Sequence, residues 1–221
     1  MTDDHVQFRE CQNPACRTRY PTLGPGPLDT RCPRCLGATR AVIDANLRAA
    51  APPSTVATRG HGQANPLEAM LDNVRSGLNV GSIFRSAEGI GLQHLYLAGI
   101  TPTPESKRVM KTSLGAETAI AWSQHNNGVD LAIKLKEAGH PIWVLENGSG
   151  AVPIKSSHAR RARGSAPVLV VGNEIAGVDP GILEIADRLL CVPMVGTKGS
   201  FNVAVAFALA AYLLAKATTP T

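Results

Sequence analysis

The chain has 221 residues, 44% of them hydrophobic and 18% charged, which excludes a wholly disordered protein. Lys and Arg outnumber Asp and Glu by 22 to 17, a net charge of +5 that suits a polyanionic partner without demanding one. Aromatics are only 4%, too few for a protein that reads bases mainly by ring stacking.

The N-terminus, Met-Thr-Asp-Asp-His, has neither a basic segment nor an apolar one, so no secretory signal is expected. Four cysteines follow, Cys11, Cys16, Cys32 and Cys35, as two close pairs joined by a longer excursion. That spacing predicts a tetrahedral, all-cysteine zinc site. Two disulfides are the alternative, and a reducing compartment disfavours them. Forty residues bury too little surface to fold unaided, so the metal would supply the folding free energy. The piece carries Arg9, Arg17, Arg19, Arg31, Arg34 and Arg40 against Asp3, Asp4, Glu10 and Asp29, a balance that suits phosphate contacts and equally suits solvated loops. We assign residues 1–48 to this zinc ribbon, 49–66 to a linker rich in Ala, Pro and Gly, and 67–221 to a second domain.

Within the second domain, strands are expected at 67–74, 95–98, 141–145, 168–171 and 188–192. Helices are expected at 82–90, 129–138, 181–186 and 201–215. The alternation predicts an α/β fold with a mostly parallel sheet. Val168–Val171 is a pure β-branched and Leu run, as in a strand buried on both faces. Cys191 reads as a buried strand thiol. The longest apolar run, Val203 to Ala215, falls short of the roughly 20 residues a bilayer needs and predicts a buried helix. A cytoplasmic protein with no membrane partner is the expectation.

No dinucleotide or nucleoside-triphosphate loop is present. Three other segments look chemical. In the first, residues 71–85, a strand passes through a polar, Gly-containing turn into a helix. Asn79 reads as lying just ahead of that helix and Arg85 inside it, and their six-residue separation requires a ligand for joint action. A helix cap and a surface cation are the plainer readings. In the second, a buried strand empties into Gly172-Asn173-Glu174, and carboxyl ends of parallel strands are where α/β folds bind ligands. Glu174 is alternatively a helix-start residue. In the third, a strand ends at Cys191-Val192-Pro193-Met194 and a Gly-, Thr- and Ser-rich loop leads to Ser200-Phe201-Asn202 and the last helix. Free N–H groups there could hold a polar ligand. Ser200 is alternatively just a cap.

Together the three segments resemble the motif set of the SpoU–TrmH family of the SPOUT superfamily, RNA ribose 2′-O-methyltransferases. The resemblance covers about residues 67–217, and Lys111–Ala116 also looks like a family segment. It implies a C-terminal trefoil knot, a homodimer, S-adenosylmethionine as cofactor and rRNA or tRNA as substrate. It maps catalytic positions to Asn79, Arg85, Glu174, Ser200 and Asn202. Cofactor contacts map to Gly172, Asn173, Val192, Phe201 and Asn202, with Pro193, Met194 and Leu145 beside them. Two departures from the pattern are Gly77, where Pro is common, and Phe201, where Leu is commoner. Arg85 is expected to stabilise a developing alkoxide, because an arginine is a poor base. A non-catalytic RNA-binding protein and a base-directed methyltransferase are the competing readings. Lys155, Arg160, Arg161 and Arg163, with His158, and a second cluster of Lys107, Arg108 and Lys111, are candidate RNA guides or solvated loops.

Overall fold

The structure, a computed structural model, describes residues 5–23, 30–46, 67–155 and 165–216. The linker at 49–66 and most of the basic cluster, His158 to Arg163, lie outside the described residues. The ribbon is an antiparallel sheet of β1 (His5–Cys11), β2 (Arg19–Leu23) and β3 (Thr39–Asn46), with β1 in the centre. Its apolar core is small: Val6, Phe8 and Tyr20, beside the buried cysteines.

The second domain is a seven-stranded sheet, parallel throughout. In chain order its strands are β4 (Glu68–Asp72), β5 (His94–Ala98), β6 (Ala121–His125), β7 (Ile142–Leu145), β8 (Val152–Pro153), β9 (Val168–Val171) and β10 (Arg188–Cys191). In space they run β6-β5-β4-β9-β7-β10-β8. The β7–β8 connection therefore spans the end of β10, and the chain leaving β10 meets it, Asn147 Nδ2 donating to Gly199 O at 2.6 Å.

Side chains alternate between the two faces, as the two-residue period of a strand dictates. Ala69, Leu71, Leu169, Val171, Trp143 and Leu145 pack on one core, with α1 (Gly77–Ile90), α2 (Lys107–Ser113) and α5 (Val203–Lys216). Met70, Val168, Val170, Ile142 and Val144 pack on the other, with α3 (Gly128–Glu137) and α4 (Pro180–Ile185). Two of the expected helices differ from the sequence reading. Helix α1 begins at Gly77, capped by the Ser76 hydroxyl, so Asn79 lies inside its first turn. Helix α5 buries Ala204, Phe207, Ala210, Ala211 and Leu214, but Val205, Leu209, Tyr212 and Leu213 form an exposed apolar stripe rather than a buried face.

Glycine at 77 is required by packing. A Cβ there would sit 2.9 Å from the Arg108 Cβ on α2, so the site has no room for a larger residue. Gly81 is tighter still, with Val109 O 2.2 Å from its virtual Cβ.

The ribbon is held to the carboxyl edge of the sheet by one buried ion pair. Arg19 Nε and Nη2 donate to Asp179 Oδ2 and Oδ1 at 2.6 and 2.9 Å, and the two side chains are 12% and 2% exposed. This is the bidentate fork that makes Arg–carboxylate pairs strong. Asp179 also caps α4 through Gly181 N, and its own N–H donates to Asp72 Oδ2 at 2.8 Å. The ribbon backbone lies as close: Arg19 N donates to Asn126 O at 3.1 Å, and Arg34 donates to Asn126 and Gln124.

Burial, reinforced by the neighbouring Asp179 charge, pushes the Asp72 carboxyl up to about 7 from 3.8. An acid raised in the folded state favours folding while protonated and loses that contribution as it ionises. Stability from this group therefore falls as pH rises from about 4 to about 7. His94 and His125, both lowered by burial, act in the opposite direction, but equally in any Asp72 variant. Thermal melts from pH 4 to 8 should show Asp72→Asn gaining on the wild type as pH rises, and a constant difference would refute the assignment.

Candidate active site

Three loops at the carboxyl edge enclose a cavity of about 420 Å³. It is lined by the ends of β7 and β9, the loop 172–177, Val192 and the segment 199–203 leading into α5. Its base depends on two glycines. A Cβ on Gly172 would lie 2.4 Å from Gly177 C and Val178 N, and Gly177 has φ +74 with Glu146 Oε2 2.6 Å from its virtual Cβ. Asn173 closes the loop. Its N–H and C=O pair with Gly177, its Oδ1 accepts from Ile175 N and Ala176 N at 3.0 Å, and its Nδ2 donates to Asn73 O at 2.8 Å.

Glu174 draws the motifs together. Its Oε2 accepts from Arg75 N at 2.9 Å, and its Oε1 accepts from Ser76 N at 3.0 Å and from Asn79 Nδ2 at 2.9 Å. Asn79 Oδ1 in turn accepts from Asn202 Nδ2 at 3.1 Å, and Asn202 Oδ1 caps α5 by accepting from Ala204 N and Val205 N. Burial opposes the Glu174 charge, but the donors at Arg75, Asn79 and Ser76 outweigh it and hold the carboxyl below its usual value. An ionised carboxylate with both oxygens engaged is a poor proton acceptor. Its work here is to fix the first turn of α1 against the cavity.

Of the residues singled out in the sequence, Leu145, Gly172, Asn173, Glu174, Val192, Ser200, Phe201 and Asn202 line the cavity. Asn79 joins them through Glu174 and Asn202. Pro193 and Met194 belong to the same segment but do not line it. Nor does Arg85, which is exposed on α1. It lies six residues, about 9 Å of helix rise, beyond Asn79 and is turned to the outer side with Leu78. Ser200 alone of the polar lining side chains from the third segment keeps a hydroxyl with no hydrogen bond among the described residues. Two polar lining residues escaped the sequence reading. Glu146 accepts from Val178 N at 3.1 Å and ties the end of β7 to the glycine loop, and Asn147 holds Gly199. The available signal was a carboxylate placed directly after the apolar run Trp143–Leu145.

Residues 66–212 match the SpoU rRNA Methylase family. The chain belongs to that family. It is 32% identical over 149 residues to the 23S rRNA (guanosine(2553)-2′-O)-methyltransferase RlmP of Bacillus subtilis, covering 66% of this chain and 56% of that protein. It is 30% identical over 145 residues to the tRNA (guanosine(18)-2′-O)-methyltransferase of Aquifex aeolicus, covering 64% of each. The chain thus spans less than two thirds of either relative. Among solved structures, the A. aeolicus TrmH/SpoU tRNA modifying enzyme superposes with a TM-score of 0.60 at 27% identity, covering 71% of this chain and 77% of that one. An AdoMet-bound rRNA methyltransferase from Sinorhizobium meliloti gives 0.59 at 26% identity, covering 70% of this chain and 57% of that one.

The ribbon's four sulfurs lie within 4.8 Å of one another. Cys11 and Cys35 Sγ are 3.4 Å apart, and Cys16 and Cys32 Sγ are 3.8 Å apart. A disulfide needs about 2.05 Å, whereas tetrahedral zinc with bonds of about 2.3 Å separates its sulfurs by about 3.8 Å. The donor set fits a structural zinc ion. Each ligand pair is followed by a residue in the left-handed region, Arg17 (φ 46) and Leu36 (φ 59), so the two halves of the site are built alike. Arg34 N also donates to Cys32 Sγ at 3.4 Å.

Glu174→Gln should destabilise the protein by about 1.5–3 kcal/mol, the range for a hydrogen bond to a charged group. Urea unfolding measures it, and a loss below about 0.5 kcal/mol would show that the carboxylate organises nothing. Zinc extraction by a chelator should abolish hydrogen-exchange protection in β1 to β3 while β4, β9 and β7 keep theirs. Retained ribbon protection after complete zinc release would contradict a metal-dependent fold.

Proposed function

We propose that this protein transfers a methyl group from S-adenosylmethionine to a ribose 2′-hydroxyl in structured RNA, rRNA or tRNA. One observation carries the reading: Glu174, Asn79 and Asn202 link the three motif loops in a single hydrogen-bonded chain at one cavity, in a chain of the SpoU family. The relatives named 2′-O-methyltransferases and the AdoMet-bound neighbour support it. A reducing, cytoplasmic location suits the thiolate ligands. Among the described residues no helix is long and apolar enough to cross a membrane.

The cofactor, when bound, supplies an electrophilic methyl group on a sulfonium. Main-chain groups at the cavity-lining residues Leu145, Gly172, Val192 and Phe201 would grip it, and the Ser200 hydroxyl would add a polar contact. Asn202 keeps the floor of the pocket continuous with α5. The preformed loop holds the reacting centres without reorganisation, which is where most of the gain in a transfer of this kind arises. Arg85 stays protonated, its pKa being above about 12. Its role is to stabilise the developing alkoxide and to pin the adjacent phosphate. Since it lies outside the cavity of a single chain, it meets the pocket only across bound RNA or a second copy of the protein. The exposed stripe of Val205, Leu209, Tyr212 and Leu213 on α5, next to α1, supports a homodimer that covers it.

Arg85→Ala should abolish methyl incorporation while calorimetric binding of S-adenosylmethionine persists, and Asn202→Ala should weaken that binding at least tenfold. Lost cofactor binding in Arg85→Ala, or unchanged affinity in Asn202→Ala, would overturn these roles. Nucleoside analysis of the product should show 2′-O-methylated residues, and a methylated base would redirect the assignment.

A further inference from the structure

A second cleft, about 330 Å³, opens between the two domains. One wall is β2 of the ribbon, at Pro21 and Thr22. The other is Arg75, Ile100 and the glycine loop at Asn173, Ile175 and Ala176. The last three residues also line the cavity described above, so the two spaces share a wall. Ile175, 45% exposed, stands between them. Arg75 spends only its backbone N–H, on Glu174. Its side chain is exposed and makes no hydrogen bond or ion pair among the described residues.

The ribbon wall is fixed. Arg19, two residues before Pro21, is bonded to Asp179 through its guanidinium and to Asn126 through its N–H, while its C=O lies against Gly99, where a Cβ would come within 2.8 Å of Arg19 O. A cleft with one free cation, apolar patches from Pro21, Ile100 and Ile175, and a wall shared with the methyl-transfer pocket has the character of a nucleotide site. The cation suits a phosphate, and the aliphatic patches suit the apolar face of an unstacked base.

We infer that this interdomain cleft holds an unpaired nucleotide of the substrate RNA, adjacent to the one whose ribose is methylated, with Arg75 on its phosphate and Pro21, Thr22 and Ile175 against its base. The ribbon is thereby a specificity element built into the active-site rim. The inference rests on the RNA methyltransferase reading of the neighbouring cavity.

The test uses the zinc-loaded full chain and total RNA from cells lacking the protein, grown with 4-thiouridine. Irradiation at long wavelength followed by peptide mass spectrometry should place crosslinks on peptides containing Pro21–Thr22 or Arg75. Thr22→Trp, which fills the cleft from the ribbon side, should raise the RNA concentration needed for half-maximal methyl incorporation about tenfold, the size of one lost base contact. Arg75→Ala should weaken RNA binding and reduce its logarithmic salt slope by about 1. Both variants should bind S-adenosylmethionine as the wild type does. Crosslinks only elsewhere, or wild-type RNA dependence and salt slope in both variants, with cofactor binding and transfer intact, would overturn the cleft assignment alone. A wild type that neither binds S-adenosylmethionine nor methylates this RNA would sink the parent reading and the cleft with it.

Discussion

A single carboxylate sets the geometry of this protein's working edge. Glu174 accepts from the backbone at Arg75 and Ser76 and from the Asn79 side chain, so the turn before α1 and the loop after β9 cannot move independently. Asn202 extends the constraint to the start of α5. The donors that satisfy this charge are the same groups that place the pocket walls. Organisation of the site and satisfaction of this acid's charge are therefore one problem with one solution. The two glycines complete it: with no side chains at 172 and 177, the loop folds tightly enough for Glu146 and Glu174 to approach from opposite ends.

The ribbon follows the same logic at a second acid. Asp179 caps α4, and its charge is matched by an arginine from another domain. The four-cysteine site, once loaded, would order the ribbon turns, and Arg19 on β2 ties the ribbon to the sheet. Breaking a buried pair of this kind by removing one partner costs about 3–5 kcal/mol because a charge is left behind. The appendage is thus a fixed part of the rim and not a tethered accessory.

Much of this was legible in the chain. The strand at Val168–Val171 was read to the residue, because burial on both faces leaves a pure aliphatic run. The four cysteines announced their geometry by spacing alone. The order of the three motifs marked the edge of the sheet where the cavity opens. The start of α1 was misplaced, since Gly77 and Asn79 look like turn residues, and only packing against Arg108 shows why glycine is needed inside the helix. The edge strand β6 and the short helix α2 have too little periodicity to stand out. Arg19 was one of six ribbon arginines with nothing to distinguish it, because its partner lies 160 residues away. Helix α5 misled by composition: apolar on every side, it reads as buried, yet one stripe faces outward.

The strand order carries a kinetic consequence. β9 slots between β4 and β7, and β10 between β7 and β8, so the central pairings join segments far apart in sequence. Loop-closure entropy must be met before such pairings reward it, which makes this assembly slow. The pocket walls come from residues near 145, 172, 192 and 202, the last of them emerging late from the ribosome. A growing chain accordingly possesses a foldable ribbon long before it possesses anywhere to put a methyl donor, and acquires that capacity in one step, when α5 docks.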